Sequence, residues 1–414
     1  MIPTIASPLI QRADYTHRYN GRMGRHGWLR LTPAYSVKVV EELLSACPEE
    51  SLRLLDPFCG TATTALCAAS AGHPVTTVDI NPFLVWLANT KTAHYSATSI
   101  QSARQAGREA LVLVKQQSCK PMAEPPIHNI SRWWSESGRA FLCRLRPAIE
   151  EVTAQNSPER SLLLVAFCRT LISLSNAAFN HQSMSFRDEA PTSEERSPDL
   201  SQRFENDVSH VLHGTMPDPV GQARIIQGDA RILDHLNERF DRVITSPPYA
   251  NRMSYIRELR PYMYWLGYLQ NGRDAGELDW QAIGGTWGIA TSRLADWRPD
   301  GNIPMPAWLS PVLGDIAHAD NANGRLLANY IAKYAQDMWL HFASLSRVMA
   351  ANGQAHYIVG NSTFYGHLLP TERLYADMLS ELGFCDVAVK PIRKRNSKKE
   401  LVEYDVSCRK PGVI

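Results

Sequence analysis

The stretch that most limits what this chain can fold into is LLDPFCGTATTALCAASAGHPVTTVDINP, Leu54 to Pro82. It reads in order as a short apolar strand, a turn built on Gly60, a helix of small residues from Thr63 to Ala71, and a second strand, VTTVD, ending on Asp79. A strand–helix–strand unit joins parallel strands, so an α/β sheet with helices on both faces follows. Small residues let the helix lie close on the sheet, and its N-terminal N–H groups face a ligand at the strand tips. An acidic residue closing the second strand is placed to accept both hydroxyls of a ribose, which assigns Asp79. Hydride-transfer enzymes use the same unit with three spaced glycines. Gly60 is the only glycine in this loop, which argues against a nicotinamide cofactor.

A second motif lies far downstream. The apolar run Asp241 to Ile244 leads into Thr245-Ser246-Pro247-Pro248-Tyr249. Consecutive prolines lack N–H groups and fix φ, so they end a strand and stiffen the loop that follows. The result is a rigid segment with outward carbonyls, a hydroxyl before them and an aromatic ring after. Those groups suit a planar base with an exocyclic amine: two acceptors for its hydrogens and a ring to stack on. An ordinary strand-ending turn would use the same residues, and the upstream motif favours the ligand-binding reading.

Together the motifs resemble those of amino-methylating DNA methyltransferases that use S-adenosylmethionine (SAM), of the Ser-Pro-Pro-Tyr, cytosine-N4 type. Asp56-Pro57-Phe58-Cys59-Gly60-Thr61-Ala62-Thr63-Thr64 is similar to the family's cofactor motif, with alanine at 62 where the family has glycine. TPAYSVKVVEELL, ending at Leu44, resembles the helix that closes over the methionine end of the cofactor. ARIIQGDARIL, Ala223 to Leu233, resembles the strand whose Asp229 reaches the adenine amine. Ser346 to Phe364 resembles the helix, glycine turn and late strand that complete a Rossmann-like sheet. The resemblance spans about half the chain. It implies cofactor contacts at Asp56, Phe58, Gly60, Asp79, Ile80 and Asp229, with Thr32 and Tyr35 at the methionine end. It also implies that Ser246 and the Pro247 carbonyl accept the two amine hydrogens, that Pro248 holds the loop, and that Tyr249 stacks on the base. The nucleotide would have to leave the duplex stack, at a cost of a few kcal/mol.

In that family serine at the first motif position goes mainly with cytosine-N4 and aspartate with adenine-N6. Adenine-N6 methylation of DNA, amine methylation of an RNA base, and a catalytically silent DNA-binding module remain as alternatives. Carbon-5 cytosine methylation needs a Pro-Cys nucleophile, and the chain has no Pro-Cys dipeptide.

Bulk properties constrain the partner. The 43 Lys and Arg against 41 Asp and Glu give a net charge of +2, so cationic surface for DNA has to be local. One run, Arg12 to Lys38, includes Arg22 and Arg25, and another includes Arg393, Lys394, Arg395, Lys398 and Lys399. Asn251 and Arg252, just past the catalytic motif, join them as candidate DNA contacts. None of the eight cysteines forms a CxxC pair, no Cys/His spacing suggests a metal, and a reduced cytosolic protein is expected. The N-terminus has no signal-peptide pattern, and the longest apolar stretch, Ser161 to Leu174, is too short to span a membrane. A cognate restriction endonuclease would be a natural partner, and the oligomeric state is not legible.

The sheet pieces are discontinuous. Residues 1–91 carry the cofactor half, 223–269 the catalytic half, and 326–414 the closing helices and strands. Between them, 92–222 reads as a largely helical insertion and 270–325 as an irregular insertion rich in tryptophan; either could read the target sequence. Residues 187–207 are acidic and rich in Ser and Pro. His181 to Ser183 form a polar cluster read as a helix-end cap. Helical spacing after the motif assigns Tyr255, Leu259, Tyr262 and Leu266 to the core.

Overall fold

The computed structural model describes residues 9–31, 34–46, 51–178, 185–187, 199–319, 323–395 and 400–412. Thr32, the 181–183 cluster, Lys398, Lys399 and most of the acidic 187–207 segment lie outside the described residues.

Seven strands form the main sheet: β1 (Leu54–Asp56), β2 (Val75–Asp79), β5 (Ala223–Gln227), β6 (Phe240–Thr245), β7 (Met349–Gly360), β10 (Cys385–Lys394) and β11 (Val402–Arg409). Two short hairpins, β3 (Ala177–Ala178) with β4 (Ser185–Phe186) and β8 (Ser362–Phe364) with β9 (His367–Leu369), stand apart. The order across the main sheet is β10-β11-β7-β6-β1-β2-β5. Five strands, from β5 to β7, run parallel, and β11 inserts antiparallel between β7 and β10.

This is the doubly wound α/β architecture expected from the Leu54–Pro82 unit. Successive residues of β1 and β6 explain its two layers. Leu55 and Val243 point into the core under α13 (Gly324–Val348) and α14 (Thr371–Glu381). Leu54 and Ile244 point into the core shared with α1 (Val37–Ser45) and α2 (Thr63–Ser70). The period of two along each strand thus places helices on both faces.

Residues 92–222 carry α4 (Ala97–Gln116), α5 (Ile130–Trp133), α6 (Glu136–Val152), α7 (Pro158–Ser173) and α8 (Leu200–His213). In α7 the seven consecutive residues Leu162 to Cys168 are all buried, as an all-round apolar helix requires. These helices share one core with α3 (Pro82–Thr92) and α9 (Tyr255–Trp265), through Phe83, Leu87, Phe167, Tyr262 and Trp265.

The segment 270–325 differs from its irregular sequence reading. It forms three short helices: α10 (Gly272–Gln281), α11 (Ile289–Asp296) and α12 (Leu309–Ala319). Helices of two or three turns show too little periodicity to register in sequence, and tertiary contacts hold them. Trp280 lies beside Arg293 and Lys333, and the Trp308 indole N–H donates to Asp377 at 2.6 Å. Among the described residues, no helix is long and apolar enough to cross a membrane.

Candidate active site

β1 and β6 are neighbours, yet the chain leaves β1 toward β2 and β5 on one side and returns through β6 on the other. That reversal opens a crevice at the carboxyl ends of the strands, where α/β sheets bind ligands. The loops after β1 and after β6 both enter it, and one hydrogen bond ties them. The Thr245 hydroxyl donates to Asp56 Oδ1 at 2.6 Å, and the same oxygen accepts from the Phe58 N–H at 3.1 Å. Asp56 is fully buried, and its Oδ2 has no partner among the described residues. Burial raises its carboxyl to about 6 against the pull of those hydrogen bonds. Asp56 therefore braces the loop from behind.

Gly60 turns the loop at φ +51°, and its N–H donates to Asp79 Oδ2 at 2.8 Å. The other Asp79 oxygen accepts from the Asn81 N–H at 2.9 Å, so the tip of β2 and the loop are locked together. Burial lifts the Asp79 carboxyl to about 7; the two N–H donors oppose the rise and nearby Asp56 adds to it. Ala62 holds φ +63°, the left-handed conformation for which the family's glycine is suited, at roughly 1–2 kcal/mol of backbone strain. Lys91, buried on α3, donates from Nζ to the Thr61 carbonyl at 2.9 Å and fixes the far side of the same loop. Nothing in the sequence flagged Lys91 beyond its isolation in an apolar helix.

In the second loop, the Ser246 hydroxyl donates to the Ile358 carbonyl at 3.0 Å. A serine hydroxyl has one hydrogen, so spending it on β7 leaves only lone pairs to offer a ligand. The Pro248 carbonyl accepts from the Tyr334 hydroxyl at 2.8 Å, and the Tyr249 N–H donates to the Tyr255 hydroxyl at 3.4 Å. The Tyr249 hydroxyl donates to Glu403 at 2.8 Å, while the Arg395 guanidinium sits 5.4 Å from the Tyr249 ring centroid.

A single cavity of about 280 Å³ is lined from one side by Phe58, Gly60, Asp79, Ile80, Asp229 and Tyr35 and from the other by Ser246, Pro247, Pro248 and Tyr249. Tyr35 is fixed by its hydroxyl, which donates to Thr64, whose own hydrogen goes to the Ile244 carbonyl at 3.1 Å. Asp229 faces the cavity while paired with Arg231 at 2.7 Å, and Arg231 bridges onward to Asp337. Tyr255, assigned to the core by helical spacing, lines the cavity instead, because it opens α9 just after the Ser246–Tyr249 loop. Among the described residues there is no cluster of three side chains suited to a metal ion.

The expected DNA contacts divide. Asn251, Arg393 and Arg395 line the cavity, Arg22 and Arg252 are exposed, and Lys394 is half-buried on β10. Arg25 is not available at the surface: it is 3 % exposed, and its guanidinium donates to the carbonyls of Thr215 and Lys91 and pairs with Asp218. A buried guanidinium has to spend its donors internally, so Arg25 clamps the N-terminal segment to the helical insertion. Arg393 is likewise engaged, with Glu403 at 2.8 Å. Sequence reasoning gave no signal for Glu403, Tyr334 or Gly360, which reach the site from strands and helices remote in the chain.

No family model matches this chain. Over 89% of it, the chain is 22% identical to the Type II methyltransferase M.MvaI of Kocuria varians, covering 82% of that protein. Over 98% of it, the chain is 19% identical to the Type II methyltransferase M.BsoBI of Geobacillus stearothermophilus, covering 88% of that protein. Among solved structures, TrmN from Thermus thermophilus matches at 11% identity and a TM-score of 0.31, over 94% of this chain and 53% of that one. A SAM-dependent methyltransferase from Methanosarcina mazei matches at 10% identity and a TM-score of 0.32, over 90% and 98%. Structural likenesses this shallow decide neither fold nor substrate.

Proposed function

We propose that this protein is a SAM-dependent methyltransferase that modifies an exocyclic amine of a DNA base, cytosine-N4 before adenine-N6. The observation that carries the reading is the shared cavity: Asp79 and Ser246–Tyr249 line the same space. The two distant relatives support it, since both are Type II methyltransferases aligned along nearly the whole chain.

The donor set fits the cofactor. Asp79 presents a carboxylate edge to the cavity for a vicinal diol, Phe58 and Ile80 offer apolar wall for a purine, and Asp229 offers acceptors for its amine. Tyr35 and Gly60 border the end where a methionine moiety would lie. S-adenosylmethionine, when bound, supplies an electrophilic methyl group.

The chain's own residues do the rest by alignment and polarisation. An aromatic amine is a poor nucleophile because its lone pair is delocalised into the ring. The Ser246 lone pairs and the Pro247 carbonyl accept the amine hydrogens and draw the nitrogen toward tetrahedral geometry. Tyr334 holds the Pro248 carbonyl, and Tyr249 provides the stacking face. Arg22, Asn251 and Arg252 are assigned to the DNA backbone, and a flipped nucleotide is required to bring its amine into the cavity. Pairing with a restriction endonuclease is part of the same proposal.

Incubation with methyl-labelled SAM and either DNA or RNA tests it. Label in DNA supports the reading; label in RNA alone, or in neither, defeats it.

A further inference from the structure

Tyr249 is held at three points, none of them within its own motif. Its N–H is fixed by Tyr255. Its ring meets β7 at Gly360, where an added Cβ would lie 2.9 Å from the Tyr249 Cε2 atom. Its hydroxyl donates to Glu403 Oε1 at 2.8 Å. Glu403 lies on β11, 154 residues away in sequence, and is 4 % exposed. Arg393 on the adjacent β10 grips the same carboxylate with two donors, Nε to Oε2 at 2.8 Å and Nη2 to Oε1 at 3.1 Å. Residues 393 and 403 are register partners across the β10–β11 ladder, so the ion pair is built into the sheet.

A buried carboxylate needs both a counter-charge and hydrogen-bond donors. Arg393 supplies the charge with two donors, and the Tyr249 hydroxyl adds a third. A two-donor guanidinium–carboxylate pair is also directionally rigid. The carboxylate therefore sits at a fixed point and sets the height and tilt of the tyrosine ring.

We infer that Glu403, held by Arg393, is a positioning residue for the proposed base methylation: it fixes the Tyr249 ring at the angle at which an extruded base stacks beside Ser246. The inference rests on the methyltransferase reading. It also reassigns Arg393, whose charge is spent on Glu403 instead of a DNA phosphate.

The test uses the full-length protein, SAM, and a long PCR-amplified DNA free of modification, with four readouts: kcat, KM for DNA, SAM affinity by calorimetry, and thermal midpoint. Glu403→Ala is expected to lower kcat about 10- to 100-fold, the range for a misplaced reacting group, with SAM affinity near wild type and a lower midpoint, because it leaves the half-buried Arg393 guanidinium without its carboxylate. Glu403→Gln keeps an acceptor for the tyrosine hydroxyl and is expected to recover most of that loss. Tyr249→Phe should resemble Glu403→Ala, and the double variant should be no worse than the poorer single one. Losses that multiply, a Glu403→Ala enzyme with wild-type kcat, or SAM affinity falling in step with kcat would each overturn the inference. If Glu403→Ala does not fold, Tyr249→Phe, which removes only the hydroxyl that Glu403 accepts, decides the same question: wild-type kcat in that variant overturns the inference. A wild-type protein that transfers no methyl group overturns the function itself, and the positioning role with it.

Discussion

At the scale of single residues, the site works by assigning each hydrogen. Ser246 can act as an acceptor because its hydrogen already belongs to Ile358. Replacing Ser246 with alanine removes that acceptor and leaves the cofactor half untouched. The expected result is a kcat lower by about 100-fold, the scale of one lost transition-state hydrogen bond, with SAM affinity within about twofold. Steady-state kinetics with calorimetry checks this; equal losses in both would mean the loop also binds cofactor. Asp79 carries a second expectation. In the proposed cofactor mode a ribose donates to the ionised carboxylate, and burial has raised that group to about 7 in the free protein. Below that value a proton has to be lost before the diol can bind, so SAM affinity should rise with pH up to about 7 and level off above it, at close to tenfold per unit on the acid side. The same raised value makes the ionised form costly to the free fold: any stability tied to the neutral carboxyl is greatest below the unfolded value and is lost as pH rises through about 7. Asp79→Asn should flatten the affinity profile and bind weakly throughout. An unchanged profile in that variant would place the titrating group elsewhere.

At the scale of elements, strand β7 does more than complete the sheet. Its carbonyl at Ile358 takes the serine hydrogen, and its last residue, Gly360, leaves room for the Tyr249 ring. An added methyl at 360 would meet Arg395 Nη1 at 2.8 Å and Tyr249 Cε2 at 2.9 Å. Gly360→Ala is therefore expected to push the ring aside, lowering kcat about tenfold or more while SAM affinity holds. Wild-type kcat in that variant would show that the ring's position does not matter. The two loops of the site were legible in the sequence because each motif is local: Gly60 and Asp79 close one turn, and the two prolines stiffen the other. Glu403 and Gly360 were not, and Arg393 was read only as a DNA contact, because strand pairing brings them to Tyr249 and no short-range pattern encodes that pairing. Arg25 shows the converse: a cationic run reads as surface in a sequence, and only the fold reveals that one member is buried against Asp218.

At the scale of the whole molecule, the helical residues between β2 and β5 are not an appendage. Phe167 of α7 packs in the same core as Phe83 of α3 and Tyr262 and Trp265 of α9, and α9 follows directly from the Ser246–Tyr249 loop. This core is distinct from the two that line the faces of the sheet, but α3 and α9 carry it and also follow directly from the strand tips of the site, so the insertion is expected to unfold together with the sheet. Calorimetric unfolding should show a single cooperative peak; two resolved peaks would establish an independent insertion. The doubly wound sheet was readable from Leu54–Pro82, whereas the helices of 270–325 were too short to leave a period and are held by contacts such as Trp308 with Asp377. What unites these parts is one cavity lined on one side by the proline-stiffened Ser246–Tyr249 segment, the proposed amine acceptor, and on the other by Asp79, the proposed ribose contact. Mass spectrometry of nucleosides from unmodified DNA incubated with the protein and SAM tests that placement most directly. The account predicts N4-methylcytosine; N6-methyladenine would correct the base, and the absence of any amine-methylated nucleoside would contradict the account.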